Sequence, residues 1–501
     1  MIPPLNLNFI SLCIRRLVII SKIFDFCRKV VGQNGQKKTE DQSQEVTSMG
    51  SPQVIERSEH GVSRKSFSPN ALKVLYRLKD GGYDAYLVGG CIRDALLGIE
   101  PKDFDVVTNA TPEQIKKQFR NCRLIGRRFR LAHIVFGREI IEVATMRGHH
   151  DAPEDKNQVS QSSEQGQLLR DNVYGSIEED AERRDFSINA LYYSVKDFSI
   201  RDFAGGMEAI KNRSIELIGD PETRYREDPV RMLRAIRFAT KLDMTISPKT
   251  EAPIYELSSL LGNIPSARLF EECLKLFLNG KAEQNFLLLR KYSLFKELFP
   301  ALDALIEASP EGDEFKLTKK MFINTDKRIN ADKKVTPAYV FAVLHWYPLQ
   351  NRCAKLMAEQ KQPEYEIFNL AINQILSESS KHIAVPKRFT LGARDIWHIQ
   401  QRMPRRTGQR PFRLTQQPRF RASYDFLLLR ANISDGDLVE LADWWTGYLD
   451  KDAQLQKQMV QDFSSPKSAN DSDKPKKRRR PRRRKPANGN AQNNNENKSV
   501  E

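Results

Sequence analysis

Residues 86–108 read YLVGGCIRDALLGIEPKDFDVVT, and the fold turns on how this stretch is parsed. Tyr86-Leu87-Val88 is a short apolar run of the kind that forms a buried strand. Gly89-Gly90 break it, Cys91 to Leu97 resume a helical pattern, and Gly98 stops that helix. After Pro101 a second strand is predicted over Asp103–Thr108. Strand side chains alternate, so Asp103 and Asp105 share a face, their Cα atoms roughly 6.6 Å apart. Two carboxylates so placed repel unless a cation compensates. Mg²⁺ suits them, since it favours oxygen ligands and completes its shell with water and phosphates.

Upstream, strand–Gly-Gly–helix offers free backbone N–H groups and a helix N-terminus to a phosphate. Arg93, one turn into that helix, can add a bidentate grip. Taken singly, Asp-x-Asp also suits a solvated strand face, and Gly-Gly an ordinary turn. A phosphate cradle at Gly89-Gly90, 13 residues before the carboxylate pair, argues for a nucleoside triphosphate with its metals.

Outward from this core, Ser68-Pro69 caps and opens a helix patterned by Ala71, Val74, Leu75 and Leu78. Thr111-Pro112-Glu113-Gln114 is a capping box. Strands are predicted over Cys122–Ile125, Leu131–Phe136 and Glu139–Met146, the last two as a hairpin. Glu142 interrupts the apolar run of the final strand. Such an acid lies on a solvated edge or faces a charge, and sharing a sheet with Asp103 and Asp105 makes it a candidate third carboxylate.

Ile177 to Tyr193 reads as the start of a mainly helical region, where Asp185 and Asn189 are spaced i, i+4 and share a face that suits either ribose hydroxyls or capping and surface pairing. Ile200–Ile210 reads as a turn at a domain junction. Glu227 to Leu242 (EDPVRMLRAIRFATKL) starts with Asp228 and Pro229 as helix signals. Glu227, Arg231 and Arg234 then stack as i, i+4, i+7, either a salt-bridged face or a row that reads a base edge. From Glu251 to Phe463 the pattern stays helical.

The 501 residues suggest two or three domains. With 81 basic against 64 acidic residues the chain carries +17, which points to a polyanionic partner. Ten Lys/Arg and no acid fall in Lys474–Lys485, within a tail predicted to be disordered. Lys387 to Arg421 holds ten basic residues against Asp395 alone, with Trp397, Phe412 and Phe420 interleaved. Lys387, Arg388, Arg402, Arg405, Arg406, Arg410 and Arg413 are candidates for contacts to single-stranded RNA, with the aromatics stacking on bases, an ordinary solvated basic face being the alternative. Six scattered cysteines fit a reducing compartment and argue against a zinc site. Phe9–Val31 is apolar but interrupted by charge, too short of uncharged residues to span a bilayer. A helix lying on a membrane surface, a partner-docking helix or an upstream extension all remain open for it. Gln33–Ser66 reads as a linker, and His149–Gln167 as a disordered insertion.

Leu87-Val88-Gly89-Gly90-x-x-Arg93-Asp94, Asp103-x-Asp105, Arg183-Arg184-Asp185-Phe186-x-Ile188-Asn189-Ala190 and Glu227-Asp228-x-x-Arg231-x-x-Arg234 occur in that order. Together they closely resemble the class II nucleotidyltransferases, which comprise tRNA CCA-adding enzymes and bacterial poly(A) polymerases. The resemblance covers roughly residues 69–278. The basic helical region and arginine-rich tail look like the poly(A) polymerase branch, whereas the nucleotide-site motifs are shared with CCA-adding enzymes.

The resemblance implies an α+β head with a small mixed sheet of the DNA polymerase β-like nucleotidyltransferase superfamily, followed by all-α neck, body and tail regions. The expected boundaries are 1–66 (extension and linker), 67–212 (catalytic head), 213–275 (neck, base binding), 276–463 (body and RNA binding) and 464–501 (tail). It also implies ATP as substrate, two Mg²⁺ ions on Asp103 and Asp105, and Glu142 assisting. Gly89, Gly90, Arg93, Arg183, Asp185, Asn189, Asp228, Arg231 and Arg234 would bind the nucleotide. The implied activity is template-independent addition of AMP to RNA 3′ ends in the bacterial cytoplasm, marking RNA for decay. Contact with RNA-decay machinery is a further expectation, and contact with the inner membrane is one read from Phe9–Val31 rather than from the resemblance. A non-catalytic RNA-binding scaffold that reuses an inactive head is the reading of another class.

Overall fold

The structure is a computed structural model that describes residues 51–126, 130–148, 160–162, 168–171, 174–434 and 436–464. The N-terminal segment 9–31 and the arginine-rich tail lie outside the described residues. From Pro52 onward the described chain forms one compact unit.

Its head is a mixed sheet. The strands are β1 (Gln53–Ile55), β2 (Ala85–Val88), β3 (Asp105–Thr108), β4 (Cys122–Ile125), β5 (Leu131–Phe136) and β6 (Glu139–Thr145). A separate ribbon pairs β7 (Ser160–Ser162) with β8 (Leu168–Asp171), and β9 (Leu191–Ser194) and β10 (Ile200–Asp202) return to the main sheet. The spatial order is β1-β10-β9-β2-β3-β6-β5-β4. Only the β3–β6 pair within it is parallel.

One face of this sheet carries the head core. Leu87, Val106 and Val143 are register neighbours, and they pack with Ala71, Val74, Leu75 and Leu78 of the Pro69–Asp80 helix and Ile115 of the Pro112–Gln118 helix. Both helices start where the side chains dictate. Ser68 Oγ accepts from the Asn70 and Ala71 amides at 3.1 and 3.4 Å, and Thr111 and Gln114 close a reciprocal capping box.

Four expectations are corrected. The linker predicted over Gln33–Ser66 ends earlier, because Gln53–Ile55 is the edge strand of the sheet and Ile55, Val62 and Phe67 are buried in the head core. Three residues of strand are too few to show a period of two. The helical region predicted over Ile177–Tyr193 stops at Glu182, and Leu191–Ser194 is an inner strand with all four residues buried. A strand covered on both faces shows no alternation, so its apolar residues mimic helical spacing. The turn predicted at 200–210 contains β10, and Asp202 at its end organises the next turn by accepting from the amides of Ala204, Gly206 and Met207. Within the polar stretch His149–Gln167, Ser160–Ser162 is a strand, and the rest lies outside the described residues.

Beyond the head every long element is helical. A single core runs from Phe186 and Ile188 through the Val230–Leu242 and Ser266–Phe277 helices to Phe426 and Leu429. A third core gathers Ile399, Met403, Leu427, Trp445 and Tyr448. The chain changes core within a few residues, since Phe186 and Ile188 belong to the helical core while Leu191 and Tyr193 belong to the head. That crossing seats the Arg183–Asn189 turn between head and helices.

Candidate active site

The sheet face opposite the head core presents a row of register neighbours, buried at Tyr192 and Val88 and open at Asp105 and Glu142. Tyr192 lies beside Val88, Val88 beside Asp105, Asp105 beside Glu142 and Glu142 beside His133, on five adjacent strands. Asp103 precedes β3 rather than lying in it. Asp103 and Asp105 are nevertheless both exposed while Phe104 between them is buried, so the two carboxylates share a side.

Electrostatics mark this corner. Although Asp105 keeps an exposed edge, its carboxyl is pushed up to about 6, first by the loss of water on its protein side and then by the charge of Glu142, with Arg184 opposing and Asp103 adding. Glu142 has a partner of its own, His133, whose Nε2 lies 3.4 Å from Glu142 Oε1. Among the described residues no three His, Cys, Asp or Glu side chains converge tightly enough to form a ready-made metal cage. Asp103 and Asp105 have the donor chemistry of a Mg²⁺ site that keeps open positions for water and phosphate.

Beside them the chain turns at Gly89, whose φ of 75° and ψ of −127° lie where only glycine is at ease. A Cβ there would meet Arg184 Nη1 at 3.7 Å, so the demand is conformational rather than one of space. The Gly90–Leu96 helix starts at this turn, and its first amides have no intrahelical acceptors.

Arg93, expected to grip phosphate, is instead 3% exposed and turned inward. It donates from Nε and Nη2 to Asp94 Oδ1 at 2.8 and 2.6 Å, and from Nη1 to Asn189 Oδ1 at 2.6 Å. The cation facing Gly89 is Arg184, which the motif spacing does not single out, while Arg93 Nη2 stays 3.5 Å from where a Cβ on Gly90 would sit. Its Nε donates to Tyr192 Oη at 2.8 Å and to Asp180 Oδ2 at 3.2 Å, and its Nη2 to Asp180 Oδ2 at 3.0 Å. Nη1 has no hydrogen-bond partner among the described residues. Arg183 points elsewhere and donates to the Gly148 carbonyl. Adjacent arginines in a turn cannot be told apart by spacing.

Asp185 and Asn189 do meet, though on a turn and a short 3₁₀ segment rather than on the helix face predicted. Asn189 Nδ2 donates to Asp185 Oδ1 at 3.1 Å, and Arg234 Nε donates to Asp185 Oδ2 at 2.6 Å. Burial alone would raise the Asp185 carboxyl, but Arg234 and the Asn189 and Phe186 N–H groups overcome it and hold it down to about 2. This value is below the ordinary 3.8, so the carboxylate stabilises the fold fully above about pH 4 and loses that effect as pH falls toward 2. Up to roughly 2 kcal/mol is at stake. Urea unfolding should therefore show a gap between wild type and Asp185→Asn that is wide at pH 6 and narrower at pH 3. A gap indifferent to pH would show that this ion pair does not stabilise the fold.

The row expected from Glu227 to Arg234 is split. Glu227 ends the Pro221–Glu227 helix, Pro229 intervenes, and the next helix runs Val230–Leu242. Arg231 is buried and donates from Nη1 to Glu227 Oε2 at 2.9 Å and to the Arg224 carbonyl at 2.6 Å. Asp228 is gripped by both Nη atoms of Arg268, at 2.9 and 2.7 Å. Arg93, Arg234 and Arg237 surround the Phe238 ring, their guanidinium carbons 5.1, 5.2 and 4.6 Å from its centroid. This packing holds the Val230–Leu242 helix against the Gly90–Leu96 helix.

In the basic segment, Lys387, Arg388, Arg402, Arg405, Arg410 and Arg413 are exposed. Arg406 is not free: it donates to Glu440 at 3.2 Å and stacks 4.0 Å from the Phe463 centroid. The stacking role expected of Trp397 and Phe420 is corrected, because both are buried and Trp397 Nε1 donates to the Ala342 carbonyl at 2.9 Å. Phe412, 54% exposed, keeps the required accessibility.

Comparison with known proteins places this geometry. Poly(A) polymerase I of Salmonella typhimurium LT2 is 49% identical over 446 residues, covering 89% of this chain and 95% of that protein. The chain belongs to the poly(A) polymerase I family. Poly(A) polymerase I of Escherichia coli O6:H1 is 51% identical over 428 residues, 85% of this chain and 91% of that protein.

Family models described as "Poly A polymerase head domain", "Probable RNA and SrmB- binding site of polymerase A" and "Polymerase A arginine-rich C-terminus" match residues 85–216, 243–306 and 360–485. A CCA-adding enzyme of Lactobacillus helveticus is more distant, at 36% over 218 residues, 43% of this chain and 51% of that protein. The fold is that of CCA-adding enzymes of known structure. The Bacillus stearothermophilus enzyme in complex with CTP superposes with a TM-score of 0.52 at 23% identity, over 80% of this chain and 90% of that one. The head sheet with its helical continuation is thus the nucleotidyltransferase fold, and the poly(A) polymerase I family accounts for the length of chain beyond it.

Proposed function

We propose that this chain adds AMP from ATP to the 3′-hydroxyl of RNA without a template and releases pyrophosphate. The observation that carries the reading is the exposed Asp103 and Asp105 beside the Gly89 turn, with Glu142 in register, in a member of the poly(A) polymerase I family. In the step proposed, the RNA 3′-oxygen gives its proton to solvent and bonds to the α-phosphorus, and the bond to the bridging oxygen breaks, that oxygen leaving with its electron pair as part of pyrophosphate. Catalysis is then mainly positioning and charge stabilisation.

Asp103 and Asp105 would hold two Mg²⁺ ions, whose charge would lower the pKa of the attacking hydroxyl and neutralise the triphosphate. The raised Asp105 carboxyl fits this assignment, since the charges of Glu142 and Asp103 push it up against the pull of Arg184. Glu142 supports the pair from the neighbouring strand. The Gly89–Gly90 turn and Arg184 would receive phosphate oxygens, with Arg93 and Arg183 holding the turns from behind. Asp185 and Asn189 suit ribose hydroxyls. Asp228, Arg231 and Arg234 form the base side, tied down by Arg268, Glu227 and Asp185. In this scheme the head ends near residue 212, the neck spans 213–275 and the body 276–463. Delivery of tailed RNA to decay machinery, and a membrane contact through residues 9–31, belong to the same proposal. Among the described residues no helix is long and apolar enough to cross a membrane.

The test is to incubate the full chain with a short RNA, Mg²⁺ and each nucleoside triphosphate separately. Long ladders with ATP alone are expected. Addition that stops after C, C and A on tRNA would reassign the chain to CCA addition. Deleting everything after Ser464 should weaken RNA binding and flatten its salt dependence, since each phosphate that the tail neutralises on a single strand accounts for about 0.7 of the slope. Unchanged slopes would make the tail irrelevant to RNA capture.

A further inference from the structure

A groove in the helical region gathers cations that the proposed reaction does not use. One wall is the end of the Asp313–Ile329 helix and the turn after it, carrying Lys327, Arg328 and Lys334. The other is the entry to the Phe420–Ala431 helix, carrying Arg419 and Arg421. Val335, Tyr339 and Leu429 contribute apolar surface between them, and the groove encloses about 570 Å³.

Two features separate it from an ordinary solvated face. The first is pairing. Arg421 meets Asp425 at 3.1 Å, but Lys327, Lys334 and Arg419 have no side-chain hydrogen bond or ion pair among the described residues. Asp425 is the only acid in the lining, and burial pushes its carboxyl up against the pull of Arg421 and Arg328. Five cations facing one carboxylate in a concavity raise the local potential, because low-dielectric walls focus the field. The second is composition. Tyr339, half-buried and held edge-on by the buried Phe426 with centroids 6.5 Å apart, is the aromatic ring in the lining among the cations. Cations that track a backbone beside an aromatic surface form the platform that single-stranded nucleic acid uses.

We infer that this groove holds the sugar–phosphate backbone of single-stranded RNA, as an anchoring site separate from the nucleotide cleft. RNA is favoured over an acidic protein because Arg419 and Arg421 close the basic run that begins at Lys387 and whose exposed members already line the surface. The opposite wall, Lys327 to Lys334, falls between the segments matched as RNA-binding and as arginine-rich, at 243–306 and 360–485. The inference rests on the reading that RNA is the substrate.

The experiment compares the full wild-type chain with the triple variant Lys327→Glu, Lys334→Glu, Arg419→Glu and with the corresponding triple glutamine variant. Binding of an unstructured 20-nucleotide oligo(A) is measured across a salt series. The glutamate variant should lose about tenfold in affinity near 0.1 M salt, with the log–log salt slope shallower by about 2, from three phosphate contacts at about 0.7 each. Because these side chains lack partners, its melting temperature should match wild type; should it unfold, the glutamine variant carries the same test with a smaller loss. Extension of a dinucleotide primer by saturating ATP should be unaltered. Wild type that cannot extend the dinucleotide while binding oligo(A) through the groove would indict the polymerase reading and leave the groove standing. Unchanged affinity and slope in both variants would overturn the groove. So would variants that bind oligo(A) normally but lose poly-glutamate, which would hand the site to an acidic protein.

Discussion

Asp105→Ala is expected to lower AMP incorporation by roughly a thousandfold or more, with oligo(A) binding within about twofold of wild type because the basic surfaces proposed to carry affinity are untouched. Asp103→Ala should behave alike. The instructive companion measurement is thermal stability. Loss of water and the nearby Glu142 raise the Asp105 carboxyl to about 6, above its ordinary 3.8. Between about pH 4 and 6 the folded chain therefore binds more protons than the unfolded one, so the ionised carboxylate burdens the fold above pH 6. Removing it should leave the melting temperature at pH 8 unchanged or higher. An inactive variant that is at least as stable as wild type marks a carboxylate kept for chemistry. Retained incorporation in Asp105→Ala would end the metal assignment, and inactivity accompanied by unfolding would show that the residue serves the fold.

The second large effect concerns Arg184. Arg184→Met should reduce kcat/KM for ATP by about a hundredfold, the order expected for losing one preorganised donor at a phosphoryl centre. It should also destabilise the head. Asp180 Oδ2 accepts from Arg184 at 3.0 Å and from Tyr192 Oη at 2.8 Å, so removing the guanidinium leaves a buried carboxylate without its counter-charge. Breaking one side of such a pair costs about 3–5 kcal/mol. The two roles can be separated. Asp180→Asn combined with Arg184→Met removes the stranded charge and should recover most of the melting temperature while kcat/KM stays low. Recovery of both would make Arg184 a purely structural brace. Arg184→Lys should not restore activity, since one ammonium cannot reach Asp180, Tyr192 and the glycine turn together.

The contrast between Arg183 and Arg184 shows where legibility stops. Both stand out as polar residues in an apolar segment, and nothing local distinguishes them. The helix before them ends at Glu182, and the turn after it sends one side chain to the Gly148 carbonyl and the other to Asp180. Arg93 misleads for the opposite reason. Its position one turn into a helix after two glycines suits a phosphate contact, but Asp94 and Asn189 draw it inward. Trp397 is legible as an aromatic among arginines and illegible as a core residue, because its burial depends on the Pro337–Leu344 helix some 55 positions away in sequence.

What the chain determines locally is the grammar of the head. Side-chain parity puts Asp103 and Asp105 on one side, only glycine accepts the backbone at position 89, and Ser68 and Thr111 start helices by capping them. These features arise from covalent geometry over a few residues and survive any tertiary arrangement. What the folded molecule alone decides is adjacency. The order β1-β10-β9-β2-β3-β6-β5-β4 sets Glu142 beside Asp105, packing selects Arg184 over Arg93 to face the cleft, and the helical region brings Lys327 opposite Arg419. No periodicity encodes such pairings, because they are settled by which apolar faces bury one another across long stretches of intervening chain.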